Sequence, residues 1–224
     1  MKLFRRSLLC CLCGERIKQG SERFSYGTTC LCGGCFESLE KTSDNSLFEG
    51  RHELDFVSAP FYYTDAYRNI FLSFKFGGNM AQGHIIGMAA REYFSRMEVL
   101  REYDCMIPVP LTAAGERKRG FNQALVLARY FSEGTGVPIL NGLFRGVEKV
   151  PQSSLSGPER RKNIAGAFSV CGDVSGKSVL VADDLFTTGS TMRECAKVLR
   201  EAGAVRVGGV TAAYVMHPHR EYNG

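Results

Sequence analysis

The stretch Val179 to Thr191, V-L-V-A-D-D-L-F-T-T-G-S-T, constrains this chain more than any other. Val179 to Ala182 are an apolar run of the kind that makes a buried strand. Asp183 and Asp184 follow at its carboxyl end. The turn from Leu185 to Thr191 combines a permissive Gly189 with the hydroxyls of Thr187, Thr188, Ser190 and Thr191, and leads into an amphipathic helix carrying Met192, Cys195, Ala196 and Leu199 before Gly203. Backbone N–H groups and the positive end of a helix dipole attract an anion, and hydroxyls complete its hydrogen bonds, so the turn reads as a phosphate cradle. Two carboxylates just before it suit vicinal sugar hydroxyls or an Mg²⁺ ion. The alternative is a surface turn whose aspartates serve as N-caps, but the strand before and the helix after supply the context that a ligand loop needs.

A chain of 224 residues, 44% of them hydrophobic, can bury one α/β core and carry one small appendage. No run approaches the ~18 apolar residues of a membrane span, so no membrane insertion is expected. The N-terminal phrase M-K-L-F-R-R-S-L-L-C-C-L-C has an apolar part only from Ser7 to Leu12 and runs straight into cysteines. It reads as the start of a cytoplasmic protein rather than a secretory signal. A net charge of +5 favours phosphorylated ligands or nucleic acid without demanding either.

Six of the nine cysteines precede residue 36, whereas Cys105, Cys171 and Cys195 are scattered singly. Cys10-x-x-Cys13 and Cys32-x-x-Cys35 are two knuckles separated by 18 residues, within the spacing of a structural Cys₄ zinc site. Gly14, Gly33 and Gly34 are expected to give the knuckles their backbone freedom. Disulfides are the alternative, and they belong to oxidising compartments. Cys11 and Cys30 read as bystanders.

Residues 1–45 thus form a zinc-binding module and linker, the polar stretch Glu37 to Glu53 joins the modules, and the main domain occupies residues 54–216. Phe56 to Tyr63 is a strand that Pro60 makes an edge strand or breaks. Tyr67, Ile70, Phe71 and Phe74 recur at helical spacing, and a second helix runs through Ile85 to Tyr93. Lys75 could reach a ligand phosphate, although a lysine snorkelling from a helix end is the simpler reading. Further strands are expected near residues 104–109, 166–171, 178–183 and 205–215, in a twisted, mainly parallel sheet flanked by helices. His217 and His219 belong to a solvent-exposed tail.

Cys105 to Pro110 is a strand ended by proline, and the expected loop after it, Thr112 to Gly120, contains Arg117, Lys118 and Arg119. Cations at the carboxyl end of a strand stand where open α/β sheets bind ligands, and pyrophosphate is their natural guest. Solvated charges on a turn are the alternative.

The strand, acidic pair and T-T-G-S-T turn resemble the phosphoribosyl-pyrophosphate signature of type I phosphoribosyltransferases. D-C-M-I-P-V-P-L at Asp104 to Leu111, R-G-F-N-Q at Arg119 to Gln123, and the set Gln152, Leu155, Arg161, Asn163, Gly166, Ala167 and Phe168 narrow the resemblance to the ComF family, whose members are associated with DNA uptake in natural transformation. With the cysteine knuckles, the resemblance covers essentially the whole chain.

The resemblance implies an α/β phosphoribosyltransferase-like fold with a small N-terminal Cys₄ zinc module. It further implies that Asp183 and Asp184 hold ribose hydroxyls and that Thr187, Thr188, Gly189, Ser190 and Thr191 hold the 5-phosphate. Arg117, Lys118 and Arg119 would face a pyrophosphate leaving group with Mg²⁺, where developing charge is stabilised most effectively. Gln152, Arg160, Arg161 and Asn163 belong to a segment able to close over the site, or to an exposed basic turn. No segment announces an acceptor. Two functions stay open: a phosphoribosyltransferase of unknown acceptor, and a non-catalytic competence protein that uses the fold to bind a phosphoribosyl ligand, single-stranded DNA or DNA-uptake partners.

Overall fold

The computed structural model describes residues 8–18, 22–43, 48–49, 53–146 and 166–216. The knuckle segment contains β1 (Glu22–Tyr26), β2 (Thr29–Cys32) and α1 (Gly33–Glu37). β3 (Phe48–Glu49), β4 (Phe56–Ser58), β5 (Phe61–Tyr62), α2 (Asp65–Gly77) and α3 (Met80–Phe94) follow. Next come β6 (Cys105–Pro108), α4 (Ala113–Arg119), α5 (Gln123–Thr135), β7 (Leu143–Arg145) and β8 (Phe168–Val170). The chain then forms β9 (Ser178–Phe186), α6 (Ser190–Glu201) and β10 (Arg206–Tyr214).

The central sheet runs β3-β4-β10-β9-β6, with β5 also on β10; β4, β10, β9 and β6 are parallel and β3 is antiparallel. The unbroken apolar run of β9 follows from its burial on both faces. Leu180 and Ala182 pack in the core with Phe74, Phe94, Leu127 and Phe131, while Val179 and Val181 pack in the core with Met192, Cys195, Ala196 and Leu199. Pro60 does break the expected strand, between β4 and β5. Tyr67, Ile70, Phe71 and Phe74 are buried as their spacing predicts.

Three expectations are corrected. The strand near 166–171 does not join the parallel sheet: β8 pairs antiparallel with β7 in a separate ribbon, because both are short and Ala167 and Phe168 pack on α6 residues instead. The segment Thr112 to Gly120 is not a loop around the cations but helix α4, because Thr112 accepts from Gly115 N at 3.0 Å as N-cap and Gly120, at φ +79°, closes the other end. Its basic residues fill the last turn, where the helix dipole favours cations. Gly33 and Gly34 open α1 and do not need left-handed backbone; of the three glycines proposed, only Gly14 has positive φ, +76°.

The knuckle segment shares the main core. Cys10, Ile17, Leu31, Phe36 and Leu39 are continuous with the aromatic cluster of α2, α3 and α5, and Tyr26 stacks on His84 of α3 at 3.9 Å. The stretch after α1 is pinned as well: Thr42 Oγ1 donates to Ala59 O at 2.6 Å.

Candidate functional site

β9 carries Asp183 and Asp184 to a cleft of about 730 Å³ at the carboxyl end of the sheet. Thr187 from the following turn, Thr191 from the start of α6, Lys75 from α2, Lys118 and Arg119 from α4, and Arg145 from β7 line it too. Two carboxylates therefore face four cations drawn from three separate segments.

The turn is held by specific contacts. Gly189 takes φ +73°, and a Cβ there would lie 2.4 Å from the Phe186 ring, so both backbone and space require glycine. Phe186 is itself fixed by stacking on Tyr214 at 5.2 Å. Thr188 and Ser190 share a hydroxyl hydrogen bond of 2.9 Å, and Arg193 donates to Thr188 O at 2.6 Å. The turn ends at the N-terminus of α6, whose first amides make it a place for an anion.

Asp184 is buried and pairs with Lys75, Nζ to Oδ2 at 2.6 Å. Burial, reinforced by the Asp184 carboxylate, pushes the Asp183 carboxyl up to about 7 against the opposing pull of Lys75 and Arg145. A floor this acidic is poised to accept hydrogen bonds from hydroxyls or to meet a cation.

A phosphoribosyl transferase domain model matches residues 107–223. Competence protein F of Haemophilus influenzae is 29% identical over 222 residues, spanning 92% of this chain and 90% of its own. Competence protein ComFC of Streptococcus pneumoniae is 27% identical over 217 residues, spanning 87% of this chain and 94% of its own. The chain belongs to the ComF family, on a type I phosphoribosyltransferase fold. A solved phosphoribosyltransferase from Corynebacterium diphtheriae is 23% identical, covers 75% of this chain and 76% of its own, and superposes with a TM-score of 0.34.

In this ComF chain the structure brings Asp183, Asp184, Thr187, Thr191, Lys118 and Arg119 to one cleft. Thr188, Gly189 and Ser190 shape the turn behind it. Arg117 is exposed on α4 and does not line the cleft. Gln152, Leu155, Arg160, Arg161 and Asn163 lie outside the described residues, as do His217 and His219. Lys75 lines the cleft and its ammonium turns onto Asp184 instead of snorkelling to solvent. Arg145 is a residue that the sequence reading missed: it is buried, lies 5.1 Å from the Phe168 ring and faces the acidic pair. The only local signal was a cation following the apolar pair Leu143-Phe144.

The knuckle thiols of Cys10, Cys13, Cys32 and Cys35 lie within 4.8 Å of one another. Cys13 Sγ and Cys32 Sγ are 4.0 Å apart, too far for a disulfide and close to the sulfur separation around a tetrahedral ion with ~2.3 Å bonds. Cys10 Sγ accepts from the N–H groups of Leu12 and Cys32 at 3.5 Å, and Cys32 Sγ from Cys35 N at 3.4 Å. Burial raises the Cys10 thiol, but its N–H donors outweigh that and bring it down to about 6. Such donors suit thiolate ligands, so the cluster fits a metal ion such as zinc. Cys11 is pushed up to about 11 by burial and stays outside the cluster, as does Cys30.

Proposed function

We propose that this protein binds phosphoribosyl pyrophosphate or a related ribose phosphate in the cleft and acts in DNA uptake during natural transformation. The observation that carries the reading is the convergence of Asp183, Asp184, the Gly189 turn and the cations Lys75, Lys118, Arg119 and Arg145 on one cavity. Asp183 and Asp184 accept from the ribose hydroxyls. The amides at the start of α6, with Thr187 and Thr191, hold the 5-phosphate. Lys118, Arg119 and Arg145 stabilise pyrophosphate where its charge develops. Mg²⁺ bound with the ligand supplies further positive charge to the pyrophosphate oxygens. The names of the Haemophilus and Streptococcus relatives support the place in competence.

If an acceptor binds, the cleft supports phosphoribosyl transfer, with C1 of the ribose losing pyrophosphate as the acceptor bonds to it. The second reading is a non-catalytic protein that holds single-stranded DNA or a DNA-uptake partner on the same fold. Exposed Arg117 and Lys118 on α4 favour it, because they offer charge at the cleft edge. The Cys₄ cluster holds a structural Zn²⁺, whose closed coordination leaves no position for catalysis. Among the described residues no helix is long and apolar enough to cross a membrane. We place the protein in the cytoplasm.

Calorimetric titration with phosphoribosyl pyrophosphate and Mg²⁺ tests the reading. Wild type should bind and Asp183→Asn/Asp184→Asn should bind much more weakly with the fold retained. Equal affinity would remove the carboxylates from recognition. Pyrophosphate release with a panel of bases separates the transferase from the binding protein.

A further inference from the structure

Gln123, the first residue of α5, is only 1% exposed although its side chain ends in a polar amide. Burying an amide is costly unless its donor and its acceptor both find partners. Here they do: Arg119 Nη1 donates to Gln123 Oε1 at 3.0 Å, and Gln123 Nε2 donates to the Lys75 carbonyl oxygen at 3.5 Å. The partners fix which way the amide points, since a guanidinium only donates and a carbonyl only accepts. One side chain thus stands between the ends of two helices that bring cations to the cleft, α4 with Arg119 and α2 with Lys75. The backbone beneath it is held separately. Asn122 caps α5 by accepting from Ala124 N at 3.0 Å and donates to Val109 O at 3.1 Å.

We propose that Gln123 is a positioning residue that holds the Arg119 guanidinium in place for the pyrophosphate arm of the ligand. An arginine side chain loses much rotamer freedom when it binds an anion, and a partner that restrains it beforehand lowers that cost. The type of acceptor matters as well. A carboxylate at this position would orient Arg119 and also cancel its charge, beside two aspartates already present; an amide oxygen orients the guanidinium and leaves its charge for the anion. The ring of Phe76, 5.6 Å from the guanidinium, adds an apolar restraint. The inference rests on the ribose-phosphate reading for the identity of the anion alone.

Two measurements test it. The first needs no ligand: the Arg119 Nε–H resonance, assigned by its loss in Arg119→Ala, should show a reduced heteronuclear NOE in Gln123→Met and a value close to wild type in Gln123→Glu. The second is calorimetric titration with phosphoribosyl pyrophosphate and, as the probe without a pyrophosphate arm, ribose 5-phosphate, both with Mg²⁺. Gln123→Met should bind phosphoribosyl pyrophosphate about tenfold more weakly and ribose 5-phosphate within about twofold of wild type. Gln123→Glu should lose a similar factor for phosphoribosyl pyrophosphate, because Arg119 is then held but neutralised. In an Arg119→Ala background Gln123→Met should cost nothing further. An Arg119 equally ordered in Gln123→Met overturns the proposal whatever the ligand, and so does an equal loss for both probes or a full loss in the Arg119→Ala background. Wild-type affinity in Gln123→Glu would refute the need for a neutral acceptor. Disorder of Arg119 in Gln123→Met, in a protein that binds neither probe, would keep Gln123 as the residue that sets Arg119 and remove the ribose-phosphate reading.

Discussion

The Lys75 ammonium lies 2.6 Å from Asp184 Oδ2, joining the end of α2 to the floor of the cleft. The lysine also sits 5.0 Å from the centroid of the Phe71 ring. Lys75 thus neutralises a carboxylate that ribose hydroxyls are proposed to occupy. A phosphorylated ligand that takes over Asp184 would leave the ammonium next to its own phosphates.

Lys75→Met should leave Asp184 unpaired and lower stability at pH 8 by about 2 kcal/mol, less than the cost of breaking a fully buried pair because the lysine side chain is 20% exposed. Lys75→Met/Asp184→Asn should recover most of that loss. Urea denaturation of the four proteins in the cycle gives the coupling. Strictly additive effects would show that the 2.6 Å contact contributes nothing to the fold.

Asp183 sets a pH dependence of its own. Its carboxyl is raised from 3.8 to about 7 in the folded chain, so between those values the folded state holds more protons than the unfolded one. Ligand-free stability should therefore fall as pH rises from about 4 to 7, because the unfolded carboxyl ionises freely while the buried one resists. Asp183→Asn should stabilise the ligand-free protein at pH 8 by roughly 1–3 kcal/mol and change little at pH 4. Thermal denaturation at the two pH values checks this; a variant destabilised at pH 8 would mean that the ionised carboxylate has a structural role.

Gly189 gives a sharper test of the turn. Gly189→Ala forces a side chain onto a φ of +73° and into the Phe186 ring, and should cost about 1–3 kcal/mol while weakening ribose-phosphate binding at least as strongly as stability. Differential scanning calorimetry and ligand titration on the same preparation read both. A variant with wild-type stability and affinity would show that the turn can move without consequence.

The cysteine cluster should tie into the main core. Elemental analysis should find about one Zn²⁺ per chain, and Cys32→Ser should bring it near zero, since metal binding energy in such knuckles is largely folding energy. The damage should spread to α3, because the Tyr26 and His84 rings stack at 3.9 Å and His84 Nδ1 lies 2.7 Å from Tyr130 Oη. Amide exchange along α3 measures it. Metal-free protein with unchanged protection in α3 would show the knuckle to be an independent appendage.

What the sequence disclosed was local. The strand, acidic pair and turn from Val179 to Thr191 are contiguous, and each CxxC knuckle is written in four residues, so composition and spacing reveal them. Lys75 was legible only as one of two readings and Arg145 not at all, because tertiary packing alone brings them to Asp183 and Asp184. The ribbon of β7 and β8 was opaque for a related reason: a strand of three residues does not say which strand it will pair with. The helix α4 was misread because a run of three cations masked the Thr112 cap and the Gly120 stop that frame it.

The last prediction concerns nucleic acid. The mouth of the cleft offers Lys118 and Arg119, with Arg117 exposed on the same short helix. Three cations that neutralise strand phosphates give a slope of log affinity against log salt of about −2 for a single strand. We expect weak, sequence-independent binding of single-stranded DNA with that salt dependence, measured by fluorescence anisotropy. The proposed phosphoribosyl pyrophosphate site shares Lys118 and Arg119, so the ligand should displace the strand beyond the effect of matched ionic strength. Removing charge at Arg117, Lys118 and Arg119 should flatten the slope and abolish this competition; extending the change to Arg160 and Arg161 tests whether that basic run contributes. DNA affinity that survives all five substitutions would move the contact to the knuckle segment and separate DNA binding from the ribose-phosphate cleft.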